Sequence, residues 1–304
     1  MIKGVYSVLP TPFTSQGDID LQSLKRVIDF YIRAGIDGVT ALGVTSEAAR
    51  LSDQERFKVL ETIMQHVNKR VPVVVGSSTE GLNTCIELSR RAKDFGASAV
   101  MVSPPRMPKL NTNAVVNHYR KLSEAVDIPI VVQDYPPISG FTMEASLLVR
   151  IAREVPEARA IKLEDPPTPY KIIKVLEQAE GMSLSILGGL GGTYLLEELM
   201  AGASGTMTGF ALPEMLVNVV RSFQTGEKQK AADTFYRNVA MMRFEFQESI
   251  GMVIRKEILR RRGVIASSNV RSPSAQMDAS TQQALDSLII WFREENKDVA
   301  WTLD

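Results

Sequence analysis

Lys162 stands near the end of a short apolar run, Ala158-Arg-Ala-Ile-Lys-Leu-Glu-Asp165, which Pro166-Pro167 terminates. Such a run reads as a buried strand with an amine near its C-terminal end. Burial favours the neutral amine, and the neutral amine is the form that attacks a ketone to give a Schiff base. Side chains alternate along a strand, so Glu164 lies on the same side as Lys162, one step further on. A carboxylate there is placed for general acid or base work beside an iminium; burial would raise its pKa and the neighbouring cation would oppose that. The other reading of Glu164 is a salt-bridge partner that only fixes the lysine. In a second run, residues 128–135, Tyr135 has the same relation to Gln133, and both face the site if Lys162 does. Tyr135 is then either a proton-transfer group or an aromatic wall.

What positions these residues is a repeating unit. Apolar runs at 5–9, 38–43, 71–76, 97–103, 128–135, 158–164, 183–188 and 202–209 are each followed by a Gly-, Ser- or Pro-rich turn. Amphipathic helices come next, at 21–34, from the capping box Ser52-Asp-Gln-Glu55 to about 67, and at 81–95, 112–125, 143–154, 170–178, 194–200 and 213–223. Eight such units before residue 226 predict a (β/α)₈ TIM barrel, an α/β fold whose parallel strands are covered by crossover helices. After Gly226 the strands stop, and helices are predicted at 228–245, 250–262 and 280–295. The expected organisation is a barrel over 1–226 carrying the site and a helical appendage over 227–304 packed on it. Phe235, Met241, Met242, Phe244 and Phe246 are more apolar side chains than one helix face needs, which suits packing on the barrel and a subunit contact. Glu257 with Arg260, Arg261 and Arg262 reads as a solvated helix end.

Composition excludes several classes. The 304 residues carry 35 Lys+Arg against 35 Asp+Glu, a formal net charge of zero with no long block of one sign. Neither a nucleic-acid footprint nor a membrane-surface patch is expected. No stretch approaches the roughly 18 apolar residues of a membrane span. The single cysteine, Cys85, has no internal partner, and the start is too short an apolar run for a signal peptide, so a reduced cytoplasmic protein is expected. His66 and His118 are far apart within helices, so no metal is expected, and the lysine chemistry calls for no cofactor.

In a TIM barrel the strand C-termini carry chemistry. Here they read Leu9-Pro-Thr-Pro-Phe13, Leu42-Gly-Val-Thr-Ser-Glu47, Ser103-Pro-Pro-Arg106, Gln133-Asp-Tyr-Pro136, Lys162-Leu-Glu164, Gly188-Gly-Leu-Gly-Gly192 and Thr208-Gly-Phe210. Thr-Pro-Phe after the first strand, Gly-x-Thr-x-Glu after the second, a proline turn after the fifth and a lysine on the sixth resemble the dihydrodipicolinate synthase and N-acetylneuraminate lyase family. The resemblance runs in order from about Gly4 to Gly209, and the helical tail is of the family's kind. It implies a lyase that condenses or cleaves 2-oxo acids through a Schiff base on Lys162, with pyruvate as the usual partner and a homodimer or homotetramer as the usual assembly. It places the substrate carboxylate on Thr45 and Ser46, a turn whose backbone N–H groups and hydroxyls suit an anion. Glu47, ending that motif, reads as a structural acceptor.

The departures narrow the expectation. The family's relay tyrosine falls on Gln133, its relay threonine on Val44, and its second tyrosine on Pro104-Pro105-Arg106. The arginine that holds the second substrate's carboxylate in dihydrodipicolinate synthase falls on Ile138. The chain therefore reads as a divergent member, acting by aldol cleavage, condensation or dehydration of a 2-oxo-3-deoxy sugar acid. The alternatives are dihydrodipicolinate synthase proper and a non-catalytic barrel binding a 2-oxo acid or phosphate. Gly188 and Gly189 open a glycine-rich turn that gives either a phosphate cradle or room for a long substrate. Thr208 ends the eighth strand near them, and Arg106 is a candidate for a distal anionic group.

Overall fold

The computed structural model describes residues 1–297 and 301. Eight parallel strands close a barrel in chain order: β1 Gly4–Val8, β2 Gly38–Ala41, β3 Val73–Gly76, β4 Ala99–Val102, β5 Ile130–Asp134, β6 Ala160–Leu163, β7 Ser185–Gly188 and β8 Gly205–Thr208. The helices of the barrel are α1 Leu21–Arg33, α2 Asp53–Val67, α3 Leu82–Asp94, α4 Thr112–Val126, α5 Pro136–Ser139, α6 Ala145–Glu154, α7 Thr168–Gln178, α8 Leu195–Met200 and α9 Pro213–Gln224. Three more follow: α10 Lys228–Glu245, α11 Gly251–Arg261 and α12 Ala279–Glu295. The (β/α)₈ architecture is thus the one the repeating pattern predicts. Strands are shorter than the apolar runs because the run ends serve as turns. The one-turn helix α5 was not predicted; Pro136 opens it and Gly140, at φ +66°, closes it. Residues 298–300 and 302–304 of the expected appendage lie outside the described residues.

Alternation sorts the strand side chains into two cores. Tyr6, Val74, Ala99, Met101, Val131, Ala160, Leu187 and Met207 fill the inside of the barrel, while the intervening residues join the larger core under the helices. Local chemistry sets the helix starts. Asp20 and Asn111 accept the N–H groups of Ser23 and Ala114, and Ser52 and Glu55 form the predicted capping box. Of the appendage's apolar residues, Phe235, Met241 and Met242 are buried, in line with packing on the barrel.

The solvated helix end is corrected by the structure. Arg260 is on the surface, but Glu257 and Arg262 are buried. Arg262 lies 4.7 Å from the Phe30 ring centroid, donates to the Ala211 carbonyl at 2.9 Å and pairs with Glu214 at 2.8 Å. The tail is clamped to the barrel here, because α11 runs across the mouth rather than along the surface. No helix among the described residues is long and apolar enough to cross a membrane.

Candidate active site

Register places the central pair. Gln133 on β5 lies opposite Lys162 on β6, and both face inward with Val131 and Ala160. Glu164, two residues beyond Lys162, also turns inward. Its Oε2 stands 3.1 Å from Lys162 Nζ and accepts a 2.9 Å hydrogen bond from Gln133 Nε2. Lys162 and Glu164 are 5% and 7% exposed, so their charges are only weakly screened by water. Glu164 Oε2 holds both neighbours, and Oε1 is the oxygen turned toward Gly189. A methyl group on Gly189 would fall 2.5 Å from Oε1 and 2.4 Å from Cγ. Gly189 is glycine because Glu164 occupies the space of its side chain.

Tyr135 is half-buried at the start of α5. Its phenol is raised above its ordinary value, first by burial, then by the charges of Glu164 and Glu248, so it belongs to the same mouth. A cavity of about 180 Å³ is lined by Gly43, Val44, Met101, Ser103, Gln133 and Ile138 among others. The positions where the family pattern has relay or carboxylate-binding groups are here largely apolar wall.

The turn after β2 is a 3-10 helix, Val44–Ser46. Val44 and Thr45, its first residues, have no intrahelical acceptor for their N–H groups. Ser46 plays a different part. Its hydroxyl donates to the Leu9 carbonyl at 2.6 Å and accepts from Gly43 N–H at 3.1 Å, and its own N–H goes to the Gly43 carbonyl. Ser46, expected to bind substrate, spends its hydroxyl and its amide on building the turn. Thr11 of Thr-Pro-Phe donates to the Ser46 carbonyl at 2.6 Å.

Glu47 closes the turn in the left-handed region, at φ +58°. It is buried, as expected of a structural acceptor, and takes the Arg271 amide at 3.0 Å and the Lys256 ammonium. Burial holds Lys256 down to about 8 against the opposing pull of Glu47. Lys256 and Arg271 also stand 4.3 and 4.5 Å from the Phe13 ring centroid, so Phe13 faces two cations. Lys256 and Arg271 were not singled out from the sequence, since only folding brings them to Glu47.

Three other expectations change. Thr208 lies on the opposite side from inward-facing Met207, and its hydroxyl accepts Gly191 N–H at 2.9 Å, so it pins the glycine turn. Within that turn Gly192 N–H donates to the Gly189 carbonyl and Thr193 N–H to Leu190. With these donors used internally, the turn is a poor phosphate cradle. Gly188 faces outward, where a methyl group would fall 1.6 Å from Glu198 Oε2. Arg106 is exposed and lies against Gly140.

Glu198 on α8 is fully buried, accepts Thr168 Oγ1 at 2.6 Å and carries its carboxyl at about 7. Burial is the main cause; Thr168 opposes it, and Glu164 and Glu197 add to it. The folded protein thus holds a proton that the unfolded chain releases near its ordinary value of 4.5. Stability falls as pH rises from about 4.5 to 7 and levels off above, by at most about 3 kcal/mol. Asp134, raised to about 6 by burial against the pull of Lys171, acts with the same sign. Glu198→Gln is expected to flatten the fall in urea stability between pH 5 and 8 and to be more stable than wild type at pH 8. An unchanged slope would show that Glu198 does not hold that proton.

Comparison with known proteins agrees with this geometry. Residues 1–290 match the model of the dihydrodipicolinate synthetase family. The L-2-keto-3-deoxyarabonate dehydratase of Azospirillum brasilense is 33% identical over 289 residues, 93% of this chain and 92% of the relative. The 4-hydroxy-tetrahydrodipicolinate synthase of Methanothrix thermoacetophila is 30% identical over 291 residues, 95% of this chain and 96% of the relative. A crystal structure of dihydrodipicolinate synthase from Rhodopseudomonas palustris superposes with a TM-score of 0.90 at 34% identity, covering 95% of this chain and 97% of that one. With the barrel, the lysine at the end of its sixth strand and a match along nearly its whole length, the chain belongs to the dihydrodipicolinate synthetase family and is a lyase of the Schiff-base type.

Proposed function

We propose that the protein dehydrates a 2-oxo-3-deoxy sugar acid through an imine on Lys162, with Glu164 as the proton-transfer group. The observation that carries this is the buried Glu164 carboxylate, 3.1 Å from the lysine in a mouth without the relay groups of the family pattern. Neutral Lys162 attacks the 2-oxo carbon, and the carbinolamine loses water to give the iminium. Glu164 takes a proton from C3; the C3–H bonding pair forms the C2=C3 double bond and the C2=N π pair moves onto nitrogen, which gives the enamine. The enamine expels the C4 hydroxyl, which takes the same proton back from Glu164 and leaves as water. Hydrolysis of the remaining imine frees Lys162. One carboxylate suffices because the elimination takes one proton and returns it. Condensation with aspartate semialdehyde calls for a relay and for a cation at the second carboxylate, where this chain has Val44 and Ile138.

The dehydratase relative supports the same reading. Pyruvate as a ligand of the same lysine, a dimer or tetramer, and a cytoplasmic location complete the proposal, on the family resemblance and the lone, buried Cys85. The test is a panel of 2-oxo-3-deoxy pentonates and hexonates, with product identified by mass. Turnover of about 1 per second or faster on one of them is expected, with pyruvate and aspartate semialdehyde far slower. Fast synthesis from the latter pair, with no dehydration across the panel, would overturn it.

A further inference from the structure

The helix across the barrel mouth carries a charge that the mechanism above does not use. Arg255 on α11 is 3% exposed. Its Nε donates to Glu245 Oε1 at 2.5 Å, and Glu245 Oε2 accepts the Ala211 amide at 3.0 Å. Nη1 is buried and has no hydrogen-bond partner among the described residues, the one cationic nitrogen of which that is so. Leaving such a donor unpaired is costly, and an orphan of this kind asks for an explanation.

Its position supplies one. A methyl group on Gly209 would fall 1.9 Å from Arg255 Nη1 and 3.2 Å from Thr45 Oγ1. Both atoms therefore crowd the same small space, left open because residue 209 has no side chain. Glu245 is tied back to Ala211, so the ion pair is a fixed dipole whose cationic end faces Thr45. Like Arg255 with Glu245, the other buried cations around the mouth face anions, Lys162 meeting Glu164, Lys256 Glu47, and Lys171 Asp134 and Asp165; Arg255 differs in its unbonded Nη1. An incoming 2-oxo acid brings a carboxylate with no counter-charge among those pairs.

We propose that Arg255 is a positioning residue for substrate, the buried counter-charge that acts through Thr45 on the carboxylate of the bound 2-oxo acid. The proposal rests on the Schiff-base reading and on the turn at Thr45 as the carboxylate site. It makes the C-terminal helices part of substrate recognition, selecting acids over esters or amides of the same skeleton. In water-poor surroundings a fixed cation close behind the hydroxyl offsets the loss of carboxylate hydration.

The experiment compares pyruvate with methyl pyruvate, which keeps the ketone and lacks the charge. Borohydride trapping, read by mass, gives the half-saturating concentration of each on wild type and on Glu245→Met/Arg255→Met, which removes both charges and strands neither. The expected result is a rise of roughly 10- to 100-fold for pyruvate, little change for methyl pyruvate, and an unchanged yield at saturation. Arg255→Lys, with Glu245 in place, should recover part of the difference, and it carries the comparison alone if the double variant does not fold. Equal shifts for both ligands, or none, would overturn the proposal and leave Arg255 a purely structural clamp. If wild type traps neither ligand the Schiff-base reading fails, and thermal protection by pyruvate, equal in wild type and variant, would then overturn the role of Arg255 separately.

Discussion

Lys162→Ala is expected to lose the borohydride-trapped pyruvate adduct entirely and to lower turnover on the order of 10⁵- to 10⁶-fold, as removal of a covalent nucleophile does. The reason is geometric as well as chemical. Lys162 Nζ is fixed by Glu164 at 3.1 Å, Lys256 is committed to Glu47, and Lys171 to Asp134 and Asp165. Among these lysines no second amine stands ready to take over. The measurement is intact mass after reduction, in wild type and variant, over several 2-oxo acids. An adduct that persists in Lys162→Ala would place the imine elsewhere and undo the proposed mechanism at its first step.

Glu164→Gln separates two roles of one side chain. Glutamine keeps the size that Gly189 accommodates and can still meet Gln133 and Lys162, but it cannot carry a proton between C3 and the leaving hydroxyl. Trapping of pyruvate should therefore survive. Turnover, and exchange of the pyruvate methyl protons into deuterated water, should both slow by roughly 10² to 10⁴. If Glu164 serves only to hold Lys162, the order reverses: trapping suffers, because the lysine loses its ion pair, and exchange per trapped molecule stays the same. Normal trapping with normal exchange would pass the proton-transfer role to Tyr135, a half-buried titratable group whose environment feels Glu164.

The pairing of Lys162 with Glu164 was legible because it depends on local rules. Alternation along one strand puts Glu164 beside Lys162, and neighbouring strands with similar endings put Gln133 next to both. Eight similar units likewise needed only periodicity to announce a barrel. What escaped the sequence depends on contacts between distant segments. The glycines at 188 and 189 suggested a phosphate or a long substrate, whereas each makes way for a glutamate, Glu198 from α8 and Glu164 from β6. Ser46 and Thr208 have the chemistry of binding residues, yet their hydroxyls complete backbone turns that the sequence does not display. The burial of Glu257 and Arg262 follows from where α11 lies, and nothing within that helix announces that it crosses the mouth.

The clamp between Glu47 and the helix across the mouth also has a consequence in time. Its Lys256 partner is 209 positions later in the chain, and the Arg271 amide 224 positions later. At about 5 to 20 residues per second, the ribosome delivers Lys256 roughly 10 to 40 s after Glu47. Throughout that interval Glu47 lacks both its ammonium and its amide, and the turn it ends lacks the anchor that fixes it. Lys162 emerges well before residue 256, so on the proposed mechanism the amine is made before the turn after β2 is anchored. A nascent chain halted short of α11 would carry Lys162 with Glu47 still unpaired, and the anchor arrives only with the last quarter of the chain.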